Sequence, residues 1–413
     1  MKKNIVFIIV MAILALLTSC DNYVQDVDPL IDRVEDDRLN SPDQLDFLIK
    51  GVKHRFSTMY DNLVFLAGGL SDELYYDANA PGSSFPTLRE IDLAEDIRRD
   101  NNSVDGVFTP LGELRFFADN LVTRATSIGT GEDLEGALFT GYFFGGLARF
   151  FYATYFGLYQ EQGGGVIDGG PFIPSSDMYD LAIEKFTEAL NHTDYEGFAN
   201  WPDITSKEMA ERLTHSMIAR CYLYKGDAAS ALTHAEMGMQ EGDDPFMSLY
   251  SAITNNVWYY QANERHQYLV DDRFADYITA DPNEANRVKI YKVESGSLSW
   301  WQQAFYLTLD APINCMTWQE NELMLAELKL TSDNAAALAH VNKVRASHGL
   351  DPLTTLDEAA LIAERDKELM TTGARLPDQR RFDIWHLPAG TWKYLPITQS
   401  EINGNPNLDV GPE

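Results

Sequence analysis

The chain has 413 residues and carries 63 acidic against 32 basic side chains, a formal net charge of −31. That balance disfavours nucleic acid, whose binding rests on lysine and arginine displacing counterions from phosphate, and it weighs against polyanionic ligands such as sulfated glycans. With three cysteines there is no disulfide framework, so a hydrophobic core must hold the molecule, and a chain of this length has ample material for one.

The first twenty residues read as an address. Lys2 and Lys3 form a basic start, Ile5 to Leu17 is apolar but short for a membrane span, and Leu17-Thr18-Ser19-Cys20 follows. Those four residues resemble the lipobox of bacterial lipoproteins. Residues 1–19 are therefore expected to be a lipoprotein signal peptide, cleaved before a Cys20 that becomes lipidated. At about 0.8 kcal/mol per buried methylene, two or three acyl chains hold a protein on a bilayer almost permanently. Residues 20–40 are rich in Asp and Glu and read as an acidic, solvated tether.

Residues 41–413 are expected to form a single domain. Ser41-Pro42-Asp43-Gln44 has the form of a capping box, and Leu45, Leu48, Ile49, Val52, Phe56 and Met59 behind it recur at helical spacing. Glu135 to Tyr159 is apolar around much of its circumference and should be central. Further helices are expected from Asp177 to His192, from a cap at Thr205/Glu208 to the break at Gly226-Asp227, and from Ala228 to Met239. Glu320 to Leu330 and Asn334 to His348 form another helix pair, and a cap at Thr355/Glu358 opens a last helix running to about Thr372. Cys221 lies on an apolar helical face and should be a buried thiol. The pairs resemble tetratricopeptide repeats, although Ala182, Ala231 and Ala337 are too irregularly spaced for a free-running solenoid. The expected fold is mainly α: irregular tetratricopeptide-like helix pairs at about 41–60, 135–240 and 320–372. Loop-rich parts at about 62–134, 242–318 and 374–413 hold short elements and a small hairpin, and supply a ligand-binding lobe.

No catalytic constellation stands out. The eight histidines form no HExxH or HxH, the glycine runs at 163–165 and 169–170 lack the Lys of a phosphate loop, and there is no Gly-x-Ser-x-Gly. Asp271, Asp272 and Asp276 offer oxygens for calcium without a loop of EF-hand form. The chain thus reads as a non-enzyme without a cofactor or metal. What does stand out is aromatic residues in the irregular parts: Tyr75 and Tyr76 after Asp72, Trp258, Tyr259 and Tyr260 after two asparagines, and Trp300 and Trp301 before two glutamines. Flat aromatic faces beside amides and carboxylates suit sugar rings, whose C–H faces stack while their hydroxyls hydrogen-bond. The competing reading is that these rings anchor loops.

Four stretches carry a family resemblance. They are the lipobox, Gly141-Tyr142-Phe143-Phe144 through Phe156-Gly157 to Pro171-Phe172-Ile173-Pro174, Glu322-Leu323-Met324-Leu325-Ala326-Glu327 with Val341 to Ala346, and a closing signature. The last comprises Glu364-Arg365, Glu368-Leu369, Gly373, Arg375, Arg381-Phe382-Asp383-Ile384-Trp385 and Leu395-Pro396-Ile397 through Asn405-Pro406-Asn407-Leu408. Together they resemble the SusD/RagB family, surface lipoproteins of Bacteroidota that pair with an outer-membrane transporter. The resemblance implies a SusD-like α-helical scaffold and capture of oligosaccharide or polysaccharide for a SusC-like TonB-dependent transporter. It also implies outer-membrane anchoring through Cys20, facing the cell exterior. Asp72, Tyr75, Tyr76, Trp258, Tyr259, Tyr260, Trp300 and Trp301 fall in the regions where family members place binding residues. A peptide-capturing member, or a lid that gates the transporter without a ligand site of its own, remains an alternative. The charged residues of the closing signature read as architecture: Arg365 and Glu368 share a helical face that Arg375, Arg381 and Asp383 can join.

Overall fold

The computed structural model describes residues 39–408 and 410. The expected signal peptide, Cys20 and nearly all of the tether lie outside the described residues. No described helix is long and apolar enough to cross a membrane.

A 3-10 turn at Pro42–Gln44 leads into α1 (Leu45–Leu70), and Ser41 caps it through its backbone rather than its side chain. The first half of α1 buries one stripe, whereas from Leu63 to Leu70 every residue is buried, so this helix enters the centre of the molecule. β1 (Leu74–Tyr75) and α2 (Pro86–Leu93) follow. The expectation of loop between 62 and 134 then fails, because α3 spans Asn102–Ile128. Its buried Val104, Val107, Phe108, Leu111, Leu114, Ala118, Leu121 and Ala125 keep three- and four-residue spacing, and Asn101 caps it by accepting from Ser103 and Val104 N–H. Gly106, Pro110 and Gly112 disguise this helix in the sequence. Pro110 takes an N–H away from the carbonyl of Gly106, but Gly106 is exposed and solvent can satisfy that carbonyl.

α4 (Gly131–Tyr155) is the central helix the sequence promised, packed against α1 and α3. Glycines allow the close approach: a Cβ on Gly141 would lie 2.6 Å from Val122 Cγ2, and one on Gly146 would lie 2.8 Å from the Phe186 ring. β2 (Phe156–Tyr159), β3 (Gln162–Gly165) and β4 (Ile173–Pro174) precede α5 (Ser175–Leu190), which packs on α4. α6 (Lys207–Lys225) is capped by Ser206, one residue after the expected Thr205, and turns through a left-handed Gly226 (φ 89°) into α7 (Ala228–Ala235). Cys221 on α6 is buried and its thiol is pushed up by burial; Cys221 and Cys315 are both free thiols.

The segment after α7 holds β5 (Phe246–Ser248), a π-helical turn at Tyr259–Glu264, β6 (Leu269–Val270) and α8 (Arg273–Ala280). The expected hairpin is β7 (Ile290–Ser295) and β8 (Leu298–Gln303), turning at Gly296 with φ 62°. β9 (Ile313–Met316) pairs with β5. The hairpin α9 (Trp318–Lys329) and α10 (Asn334–Ser347) is as expected. α11 (Glu358–Glu368) is capped by Asp357 rather than Thr355 and stops four residues early, where Thr371 and Gly373 take positive φ. α12 (Arg375–Arg381), β10 (Leu395–Pro396) and α13 (Gln399–Gly404) close the chain, with β10 running parallel to β2.

The charged closing signature is architecture, divided among three clusters. Arg365, 1% exposed, donates two hydrogen bonds to Asp378 at 2.7 and 3.0 Å, and Arg381 bridges Asp378 and Glu327. Glu368 instead meets His348 and Arg287, and Arg375 reaches back to Asp72. Asp383 takes a left-handed turn at φ 54°.

Candidate functional site

Three stretches far apart in sequence meet on one small sheet, ordered β1-β6-β8-β7. Leu74 pairs with Val270 and Tyr75 with Leu269, while Val270 faces Trp301 and Val293 faces Trp300. Because side chains alternate along a strand, Tyr75, Leu269, Trp300 and Val293 share one face, and Leu74, Val270 and Trp301 share the other. The first face carries a satellite cluster of Ala80, Leu269 and Trp300 with Tyr75 and Val293 packed on it. Trp301 and Tyr76 pack on the main core instead. Each adjacent aromatic pair is thus divided between two faces.

The segment after Tyr76 folds back over the satellite cluster and is clamped there. Gln267 accepts from Ser84 and Phe85 N–H at 3.0 Å and donates to the Gly82 carbonyl at 2.7 Å. His266 Nδ1 lies 2.8 Å from the Pro81 carbonyl, and its ring meets Trp300 edge-on at 5.0 Å. Gly82 (φ 97°) permits this crossing, since a Cβ there would lie 2.7 Å from the Arg265 carbonyl. Trp300 ends 4% exposed, the floor of the lobe rather than its surface.

The aromatic side chains that reach outward from this lobe are tyrosines. Tyr75, Tyr259 and Tyr291 are half-buried and Tyr260 is exposed, its ring meeting that of Tyr259 edge-on at 5.6 Å. Acids lie near the hydroxyls of Tyr75, Tyr259 and Tyr291. Burial, with Asp272, Asp77 and Asp271 nearby, pushes the Tyr75 hydroxyl up to about 12. A hydrogen bond to Glu264 raises Tyr259, and burial followed by the Glu264 charge raises Tyr291. These hydroxyls keep their protons and stand ready to donate and accept hydrogen bonds beside carboxylates. Flat rings, neutral hydroxyls and acceptor oxygens suit a polyhydroxylated ligand, and the surrounding negative charge disfavours an anion.

The other sequence-based candidates have structural work. Trp258 is fully buried, with Phe65 edge-on at 5.1 Å and Tyr306 at 5.6 Å, so it has no surface to offer a ligand. Asp72 accepts from Arg375 at 2.6 and 2.7 Å and from Arg273 at 3.1 Å. Burial alone would raise its carboxyl, and the Arg375 hydrogen bond with the Arg273 and Arg375 charges outweighs it and holds the carboxyl low. Trp300 and Trp301 are floor and core-side residues respectively. Tyr75, Tyr259 and Tyr260 remain as outward residues. Sequence reasoning missed Tyr291 and Glu264; Tyr291 was findable from the hairpin pattern, whereas Glu264 depends on a π-helical turn. Asp271, considered for calcium, pairs with Arg273 at 3.0 Å, and no group of three or more His, Cys, Asp or Glu suited to a metal assembles among the described residues.

No protein-family model matches the chain, and no curated protein does. Solved structures do match. A SusD superfamily protein from Bacteroides vulgatus superimposes with a TM-score of 0.72 at 17% identity, covering 89% of this chain and 98% of the other. A laminarin-binding SusD-like protein gives 0.67 at 15% identity, covering 89% and 100%. Surface glycan-binding protein A from Bacteroides uniformis gives 0.65 at 14% identity, covering 89% and 99%. The helical scaffold and the loop-rich lobe built on it together form the SusD-like fold.

Proposed function

We propose that this protein is a non-catalytic glycan-binding lipoprotein at the cell surface. It captures oligosaccharides on the tyrosine face of the lobe and delivers them to a SusC-like TonB-dependent transporter in the outer membrane. The observation that carries the reading is that Tyr75 and Tyr291 share one face of the lobe's sheet and that Tyr259 and Tyr291 both lie beside Glu264, on a SusD-like fold. Two proteins of that fold bear the names laminarin-binding and surface glycan-binding. Capture needs affinity without chemistry, and aromatic rings with neutral hydroxyls supply it. The lipid on Cys20 and the acidic tether provide the anchor.

The test is affinity electrophoresis of the purified protein in native gels cast with neutral and charged polysaccharides, beside a gel holding a peptide digest. Retardation by a neutral polysaccharide is expected. Retardation by the peptide digest alone would replace the glycan reading with peptide capture.

A further inference from the structure

On the first half of α1 a cleft of about 560 Å³ opens between the first turns of that helix, residues 195–203 and residues 247–254, the last of which lead on to the turn that carries Tyr259 and Tyr260. From Lys53 in the cleft to Leu70, where α1 delivers the chain to the lobe, the helical rise alone is about 25 Å. None of the candidate residues discussed above lines it.

The cleft is built rather than incidental. Tyr195, Phe198 and Trp201 pack on one another at 5.0–5.5 Å, with Phe198 edge-on to Phe139 of α4 at 4.9 Å, and so form a fixed aromatic wall. The Tyr195 ring is seated on Gly136 and Gly197, where an added Cβ would come within 2.7 and 2.2 Å of it. Lys53 Nζ lies 3.4 Å over the Trp201 ring and donates to Asp203 Oδ1 at 2.8 Å, their side chains 19% and 7% exposed. Phe56 and Ile49 give an apolar floor, and Asn200, Ser251 and Thr254 line it with amide and hydroxyl groups.

We infer that this cleft is a second saccharide-binding site, for a neutral sugar unit of the same glycan that the lobe holds. The class of ligand rests on the glycan reading above; the cleft itself does not. An ammonium beside a carboxylate presents a donor and an acceptor together, which neighbouring hydroxyls on a sugar ring satisfy at once. A purely apolar ligand would leave the lysine–aspartate pair dehydrated without new partners. The aromatic wall and the floor offer the sugar's C–H faces a surface, and the volume is within the range of small-ligand sites. Two sites on one folded chain turn a weak grip on each sugar unit into a stronger hold on a long chain, because the second contact is intramolecular.

Calorimetric titration of the full chain with laminarihexaose, maltohexaose, xylohexaose and mannohexaose tests this. At least one is expected to bind with two molecules per chain. Asn200→Trp, which fills the cleft from an exposed position, should reduce that to one molecule, and so should the double variant Lys53→Met/Asp203→Leu, which removes both charges together. Binding of the corresponding long polysaccharide should weaken at least tenfold in either variant, while Tyr75→Ala/Tyr260→Ala removes the other hexasaccharide. One molecule per chain, lost with the lobe variant and indifferent to Asn200→Trp, overturns the second site and leaves the glycan reading intact. No hexasaccharide bound at all overturns both.

Discussion

Aromatic rings are dense in two regions of this molecule, and the contrast between them separates packing from function. In the helical scaffold Phe56, Phe143, Phe144 and Phe246 meet at 5.4–6.2 Å, stacked or edge-on, and are buried. In the lobe the outward rings are tyrosines, partly or well exposed, with hydroxyls set among Asp77, Asp271, Asp272 and Glu264. Aromatic content alone does not mark a binding face. Exposure together with polar neighbours is what sets the proposed face apart, and Trp258 shows the difference: adjacent in sequence to Tyr259 and Tyr260, it belongs to the scaffold.

The scaffold side of the comparison should break most violently. Asp378→Ala takes both close hydrogen bonds from the buried Arg365 guanidinium and one of the two carboxylate partners of Arg381, and is expected to cost about 3–5 kcal/mol in urea denaturation. A loss below ~1 kcal/mol would mean that this cluster does not tie the closing segment to the helices. Trp258→Phe should cost about 1–3 kcal/mol and leave glycan retention unchanged; lost retention at unchanged stability would move Trp258 from the scaffold to the ligand face.

The lobe side is electrostatic. A sulfated derivative of any neutral glycan the protein retains is expected to bind at least about tenfold more weakly at low salt, with the gap closing as salt screens the acids. Equal affinity at low salt would show that the acids do not face the ligand.

Between the two regions lies Glu73, next to β1. Burial, with the Asp366 charge adding to it and Arg273 and Arg375 opposing, pushes its carboxyl from 4.5 up to about 8. Folding therefore favours the protonated form: the stability Glu73 contributes is full below pH 4.5 and is lost as pH rises through about 8. Glu73→Gln should flatten the fall in stability between pH 5 and 8, by on the order of 1 kcal/mol per pH unit. Identical slopes for the two proteins would place Glu73 in a wetter setting. The smallest expected effect on folding is that of Tyr260→Ala, within about 0.5 kcal/mol because the ring is exposed; a larger loss would make that tyrosine a loop anchor.

The scaffold was largely legible because helix-period apolar spacing survives in the sequence. The capping residues slipped by one or two positions, from Thr205 to Ser206 and from Thr355 to Asp357, since several Ser, Thr and Asp side chains compete for the same N–H groups. Helix α3 was hidden by Gly106, Pro110 and Gly112, although its buried positions were periodic throughout. In the lobe the aromatic stretches were visible, but their sidedness was not. That Tyr75 and Trp300 share a face while Tyr76 and Trp301 turn to the core depends on strand register across residues 74 to 303, which no local pattern encodes. The partners of Asp72 were hidden for the same reason, Arg375 lying 303 residues away.

The most direct measurement compares the wild-type chain with Tyr75→Ala/Tyr260→Ala/Tyr291→Ala for retardation by a polysaccharide found to retard the wild type, with urea denaturation run alongside. The account predicts that the triple variant migrates as if the polysaccharide were absent while still unfolding cooperatively, at some cost in stability because Tyr75 and Tyr291 are half-buried. Undiminished retardation would contradict it, and the ligand would then have to be sought away from the tyrosine face.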